Sequence, residues 1–184
     1  MVKKSLIYGS SLAVATLLFT GCGIKTQEYN VSADNVSQLR AYEGIKINVS
    51  EFSATKAGEK STLCRMAETI TTPKGESFEK YIQEALVAEL KMANLYDKTS
   101  NLTISGNIEK IYGSSMIGDA FWEVSVTIKS SNGKSIKVDT KREYPSAVLA
   151  YTACNNMASS FSPTIKQLVN DIINHKDFKS LITN

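Results

Sequence analysis

Residues 122–141 read WEVSVTIKSSNGKSIKVDTK, and this stretch decides the fold. Apolar and polar residues alternate from Trp122 to Ile128, and again from Ile136 to about Thr140, as in strands with one buried face. Between the two runs lies Asn132-Gly133, which is a strong hairpin signal. The stretch therefore predicts two antiparallel strands that share one buried face.

The register of this hairpin follows from the rule that paired residues point to the same face of a sheet. Apolar residues meet if Ile128 lies opposite Ile136, whereas a two-residue Asn-Gly turn would place Ile128 opposite Lys137. We therefore expect a three-residue loop, Ser131-Asn132-Gly133. Gly133 then takes the left-handed conformation, which glycine tolerates.

Four more elements follow from similar patterns. Two are strands, at residues 44–52 and 102–108, and two are amphipathic helices, one capped by Ser77 and running to about Tyr96, the other covering about 153–175. Pro163 either kinks the last helix or begins a new one there. The element order is strand, helix, three strands, helix.

These elements predict one two-layer α+β domain over residues 44–184. Strands with one apolar face and two amphipathic helices bury each other's apolar surface if both helices cover the same side of the sheet. The expected sheet is mixed and has four strands.

The N-terminus reads as a secretory signal. Lys3-Lys4 precedes a mostly apolar, uncharged run from Ser5 to Thr20, which is short for a transmembrane helix. Leu18-Phe19-Thr20-Gly21-Cys22 resembles the bacterial lipoprotein box. That resemblance implies that residues 1–21 are cleaved and that Cys22 is the lipid attachment site, carrying acyl chains such as palmitate. An ordinary cleaved signal with an incidental cysteine is the alternative.

The residue after the predicted lipidated cysteine carries sorting information in such lipoproteins. An aspartate there favours the inner membrane, and here the residue is Gly23. The resemblance therefore implies an outer-membrane protein, lipid-anchored, with its domain facing the periplasm.

Residues 22–43 are polar, with isolated apolar side chains, and predict a flexible tether. Within it, Glu28-Tyr29-Asn30-Val31-Ser32 matches the acidic sequon that some bacteria glycosylate. Asn30 is therefore a candidate modification site.

Two cysteines remain after Cys22 is assigned to lipid. In an oxidising compartment, an even pair such as Cys64 and Cys154 most simply forms a disulfide. The alternative is a reactive thiol at Cys64, with its pKa lowered by the adjacent Arg65.

The net charge and the sequence motifs limit the functions that the protein is expected to have. The net charge is +3 without a run of Lys or Arg, so nucleic acid is not an expected partner. His175 is the single histidine, and no Gly-x-Ser-x-Gly, phosphate-loop or zinc motif occurs. We expect no cofactor, no metal and no enzymatic activity, although paired carboxylates of the glycosidase kind stay open.

One segment outside the predicted core is suited to contact a partner. Residues 112–121, between the second and third strands, are expected to form a loop flanked by glycines. Met116, Ile117 and Phe121 are its apolar residues and our partner-binding candidates. Alternatively, the loop folds back over an edge of the core.

The element order behind a lipoprotein box resembles outer-membrane lipoproteins of the LptE type, which serve lipopolysaccharide assembly, and the related transport-auxiliary lipoproteins. It is more similar still to an uncharacterised proteobacterial lipoprotein group, through Leu63-Cys64-Arg65, Phe78–Ile82 and Ala153-Cys154. The resemblance spans about 44–178. It implies fold and location, and it transfers no site residue.

Three functions stay open. The first is a non-catalytic interaction module that docks on an envelope assembly or transport complex, which requires a contiguous exposed patch. The second is a lipid or glycolipid binder, which requires an apolar cavity. The third is a periplasmic enzyme, which requires converging polar groups with perturbed pKa values.

Overall fold

A computed structural model describes residues 23–66 and 68–183. The signal peptide and Cys22 lie outside the described residues. The strands are β1 (Ile24–Lys25), β2 (Asn48–Val49), β3 (Ser53–Ala54), β4 (Ser61–Cys64), β5 (Glu68–Thr71), β6 (Thr103–Met116), β7 (Asp119–Ser130) and β8 (Ser135–Glu143). The helices are α1 (Ala33–Leu39), α2 (Phe78–Met92), α3 (Ala150–Ile173) and α4 (Phe178–Ile182).

The fold is α+β with mixed sheets, as expected, but the strands form two sheets. The larger has five strands, in the order β2-β6-β7-β8, with β3 also paired to β6. The smaller has the order β1-β5-β4. The single four-stranded sheet is therefore wrong, because short strands in segments predicted as tether and loop add a second sheet.

The central hairpin has the predicted register. Ile128 lies opposite Ile136 and Val126 opposite Val138. Ser130 N–H donates to the Lys134 carbonyl oxygen at 2.9 Å, which closes a three-residue loop. Gly133 has a φ of 86°, the left-handed conformation that the register requires.

The strands of the β6–β7 hairpin are longer than predicted. The expected loop over residues 112–121 is mostly strand, because Tyr112 pairs with Glu123 and Met116 with Asp119. Only Ile117-Gly118 forms the turn, with Gly118 at a φ of 78°.

Of the predicted strand over 44–52, only Asn48–Val49 forms a strand; it pairs in parallel with β6, and a second short parallel pairing follows at Ser53–Ala54. Asn48 lies opposite Thr103, and Ser53 lies opposite Asn107. Between them, the Phe52 ring occupies the space where a side chain at Gly106 would lie. The strand is interrupted there because its aromatic side chain packs directly on the backbone of β6.

The two long helices meet the larger sheet around Phe161. Its ring centroid lies 4.9 Å from that of Trp122 on β7 and 5.2 Å from that of Tyr81 on α2. Trp122 Nε1 donates to the Met157 carbonyl oxygen at 2.9 Å. α3 continues through Pro163 as one helix, and Ser77 caps α2 as predicted.

The expected flexible tether over residues 22–43 is wrong, because this segment folds onto the domain from Ile24 onward. β1 pairs in parallel with β5, and Val36 and Leu39 on α1 are buried. Two of the polar residues that favoured a tether, Ser32 and Asn35, are hydrogen-bonded to the domain. Asn30, the candidate glycosylation site, is exposed.

Glu89 on α2 holds this N-terminal segment. Its side chain is fully buried, and Oε1 accepts hydrogen bonds from the Tyr29 hydroxyl at 2.5 Å, Ser32 N–H at 2.8 Å and Asn35 Nδ2 at 3.3 Å. Burial, and then the Glu89 carboxylate, raises the pKa of Tyr29 well above its ordinary value. Ser32 also caps α1.

In the described part of the chain, no helix is both long and apolar enough to cross a membrane.

Candidate functional site

Three chain turns meet at one end of the molecule, which we call the apex. They are Arg65-Met66 after β4, Ile117-Gly118 between β6 and β7, and residues 145–149 before α3. Arg65 joins them, since its Nε donates to the Ser115 carbonyl oxygen and its Nη2 to the Ala147 carbonyl oxygen, both at 2.7 Å.

The predicted disulfide lies just below the apex. Cys64 at the end of β4 is bonded to Cys154 in the first turns of α3, with a Cα–Cα distance of 5.6 Å. The bond ties the smaller sheet to α3, so neither cysteine is a free thiol and the reactive-thiol alternative is wrong.

The turn after β4 has an unusual backbone. Arg65 and Met66 have φ values of 50° and 53°, a left-handed conformation that costs residues with a Cβ about 1 kcal/mol or more each. The hydrogen bonds of Arg65 hold its own position. Met66 is 93% exposed, so its side chain gains no packing that would offset the strain.

Large apolar side chains are exposed mainly at this end. Among the described residues nine such side chains are exposed; seven lie within two residues of the apex turns, Tyr112 lies farther down β6, and Met92 ends α2. The seven are Leu63, Met66, Met116, Ile117, Val148, Leu149 and Tyr151. A concentration of this kind is typical of an interaction surface.

A groove of about 690 Å³ runs down from the apex between β4 and β6. Leu63 and Thr62 line one wall, and Tyr112 and Met116 line the other. Among the strands of the described residues, β4 has a hydrogen-bonded neighbour only on its β5 side, and β6 beyond Ile108 only on its β7 side. The groove thus lies between two free strand edges.

A smaller cavity of about 220 Å³ adjoins this groove and shares Glu59 and Tyr112 with it. Its apolar lining comes from Phe78, Ile108 and Ile111. Charged residues also line it: Lys56, Glu59, Glu79, Glu109 and Lys110.

The three predicted partner-binding residues occupy two different environments. Met116 and Ile117 are exposed at the hairpin turn. Phe121 is half-buried, with its ring centroid 5.9 Å from that of Tyr112 and Lys141 Nζ 4.1 Å from its centre. Since Phe121 lies opposite Ser114, it faces the outer side of the sheet with Tyr112 and Met116.

Sequence reasoning missed several members of the apex. Val148 and Leu149 follow Pro145 in a segment that pattern analysis left between a strand and a helix. Two adjacent apolar residues in a connection between elements could have indicated an exposed apolar surface. Met66 and Leu63 gave none, because their exposure depends on how β4 and β5 turn.

Two further titratable groups, Tyr81 and His175, make hydrogen bonds to the backbone. Burial raises the pKa of Tyr81 to about 12, and its hydroxyl donates to the Gln27 carbonyl oxygen at 2.9 Å. His175 lies after α3, where its Nδ1 accepts from Asp177 N–H. Within residues 23–66 and 68–183 no group of three or more His, Cys, Asp or Glu side chains is placed to hold a metal ion.

Comparison with known proteins gives similarities of shape only. No family model and no curated protein matches the chain. The protein XCC0632 from Xanthomonas campestris, a DUF330 protein, has a TM-score of 0.47 and 10% identity, covering 85% of this chain and 94% of its own. The hypothetical protein CT253 from Chlamydia trachomatis has a TM-score of 0.45 and 10% identity, covering 69% and 92%. Similarities at this level assign neither a family nor a function.

Proposed function

We propose that this protein is a non-catalytic, lipid-anchored protein of the outer membrane whose domain faces the periplasm and docks on an envelope assembly or transport complex. The lipoprotein-like sequence ending at Cys22 supports the anchor, and the disulfide between Cys64 and Cys154 supports an oxidising compartment.

The observation that carries the docking proposal is the groove between β4 and β6. Free strand edges present unpaired N–H and C=O groups, which are a template for another strand. Here the edges are accompanied by the exposed side chains of Leu63, Tyr112 and Met116. We assign the groove to an extended segment of a partner protein, with backbone hydrogen bonds giving affinity and apolar contacts giving specificity.

A lipid or glycolipid binder is the second candidate, and the smaller cavity is the observation that favours it. Phe78, Ile108 and Ile111 give it an apolar lining that continues into the groove. At about 220 Å³ it is smaller than the roughly 300 Å³ at which ligand sites usually begin. A lipid would therefore need the groove as well, and the two candidates compete for one surface.

Photo-crosslinking in native envelopes distinguishes them. A photoreactive phenylalanine analogue replaces Tyr112 in the groove. The matched control carries it at Met92, which is exposed and apolar but ends α2, outside the residues that line the groove. Adducts are identified by mass spectrometry of both proteins and lipids.

We expect a protein adduct at position 112, from a subunit of an envelope complex, that is absent at position 92. Leu63→Asp and Met116→Asp, on opposite walls, should abolish it. A lipid adduct that depends on the same two residues favours the second candidate. Equal labelling at 112 and 92, unaffected by both substitutions, contradicts any function of the groove.

A further inference from the structure

The chain enters the folded domain at the apex end. Gly23, the first described residue, precedes the pair formed by Ile24 and Ile70, so it lies beside Thr69 near the start of β5. On the neighbouring strand, Cys64 lies opposite Glu68. Gly23 is thus at the level of the disulfide, where β4 ends and the strained turn begins.

From this end, the N-terminal segment and α3 run in the same direction, away from the apex. The Ser162 hydroxyl on α3 donates to the Glu28 carbonyl oxygen at 3.3 Å. Ser162 is eight residues beyond Cys154, which corresponds to about 12 Å along a helix. The chain direction from Glu28 back to Gly23 therefore points toward the apex.

Cys22 immediately precedes Gly23 in the sequence. If Cys22 carries lipid, only Gly23 links the lipidated residue to the folded domain, because Ile24 is already paired in a strand. The end of the domain that holds Gly23 must then lie against the lipid surface. That end is also where large apolar side chains are exposed.

We infer that the apex is a membrane-contact surface, in which Met66, Ile117, Val148 and Leu149 enter the headgroup region of the leaflet that holds the acyl chains. This inference rests on the lipid anchor of the proposed function. Several acyl chains already attach the domain stably, so the apolar turns fix its orientation on the bilayer rather than its attachment. Asp119 is exposed beside the Ile117 turn. Because a charged side chain is costly in the hydrocarbon core, the turn can enter only the headgroup region of the bilayer.

The contact also explains the strained turn. A methionine in a left-handed conformation with its side chain in water has no benefit in the isolated domain. Against a bilayer, the same conformation presents a flexible apolar side chain to lipid. The groove below the Arg65 hydrogen bonds stays open to a protein partner.

Fluorescence quenching by lipids tests this surface. The full-length lipidated protein is reconstituted in vesicles of phosphatidylethanolamine and phosphatidylglycerol that contain phosphatidylcholine brominated near the top of its acyl chains. Ile117→Trp is compared with Met92→Trp, both at exposed apolar positions. Trp122, the single native tryptophan, is buried and contributes the same background to both.

We expect a blue shift and a loss of emission for Ile117→Trp, and neither for Met92→Trp. Equal emission from the two variants in protein that floats with the vesicles overturns the membrane contact alone and leaves the anchor intact. Failure of the unsubstituted protein to float removes the anchor, and with it both the proposed function and this inference.

Discussion

Replacing Glu89 should release the N-terminal segment from the domain. Glu89→Ala removes a buried carboxylate, one oxygen of which accepts three hydrogen bonds from the segment. Hydrogen bonds to a charged group contribute about 1.5–3 kcal/mol each, but their sum overestimates the loss, because the freed donors return to water when the segment detaches. The other carboxylate oxygen, Oε2, is buried without a hydrogen-bond partner, so its removal offsets part of the loss. We expect the free energy of unfolding to fall by about 2–3 kcal/mol.

The assay is urea unfolding followed by the emission of buried Trp122, together with hydrogen exchange of the amides in residues 29–39. Glu84→Ala is the matched control, since Glu84 lies on the same helix but is exposed and only pairs with Lys80 at 3.6 Å. Its loss should be about 0.3–0.5 kcal/mol. If Glu89→Ala behaves like Glu84→Ala and the amides stay protected, Glu89 does not hold the segment.

Three further predictions concern stability. Replacing Cys64 and Cys154 together by serine opens a cross-link over 90 residues, and calorimetry should show a loss of about 4–5 kcal/mol in the chain-entropy model; a loss below 1 kcal/mol would contradict that account. Gly133→Ala meets no neighbour within 4 Å, so its cost should be the left-handed backbone alone, about 1 kcal/mol by thermal unfolding, and Gly133→Asn should cost less. Hydrogen bonds from Lys137 and then Thr127 lower the pKa of Glu109. Ionised Glu109 therefore stabilises the fold above the ordinary pKa of 4.5, and this stabilisation is lost as the pH falls through the folded-state pKa. Glu109→Gln should flatten the acid limb of a curve of stability against pH, and an unchanged limb would refute this.

Sequence patterns located the parts of the fold in which burial alone decides the structure. The β7–β8 hairpin is the clearest case, because apolar residues opposite charged ones would be costly and one register avoids this. The same logic gave α2 and its Ser77 cap. The disulfide between Cys64 and Cys154 was predicted from the expected oxidising compartment and the even number of cysteines left after Cys22.

The segment from Ile24 to Tyr42 could not be found in this way, because its few apolar residues are isolated in a polar stretch and hydrogen bonds to a distant residue help to hold it in place. Its polar composition is typical of a flexible linker, and the partner that makes it fold, Glu89, is distant in sequence. Asn35 reaches further, accepting a hydrogen bond from Asn170 Nδ2 on α3 at 2.9 Å. A helical signal was nonetheless present, since Ser32 precedes a first turn containing Asp34, and Val36 and Leu39 are three residues apart.

The candidate site was recovered in part for a related reason. Met116 and Ile117 stood out as apolar residues near glycines, and their exposure at a turn agrees with that reading. Most of the remaining exposed apolar residues come from 63–66 and 148–151, which are distant in sequence. Arg65 brings these turns together through backbone carbonyl groups, and any residue can supply a carbonyl.

The folded N-terminal segment changes what a lipid anchor at Cys22 would do. On a flexible tether, the domain could turn freely and any of its faces could meet a partner. With β1 paired directly after Gly23, an anchored domain has one orientation, with the apex toward the bilayer and α4 far from it. The groove between β4 and β6 then opens sideways, at a fixed height just above the lipid surface. A partner segment that binds there must itself emerge close to the membrane, which favours the membrane-proximal part of an envelope complex over a protein diffusing in the periplasm.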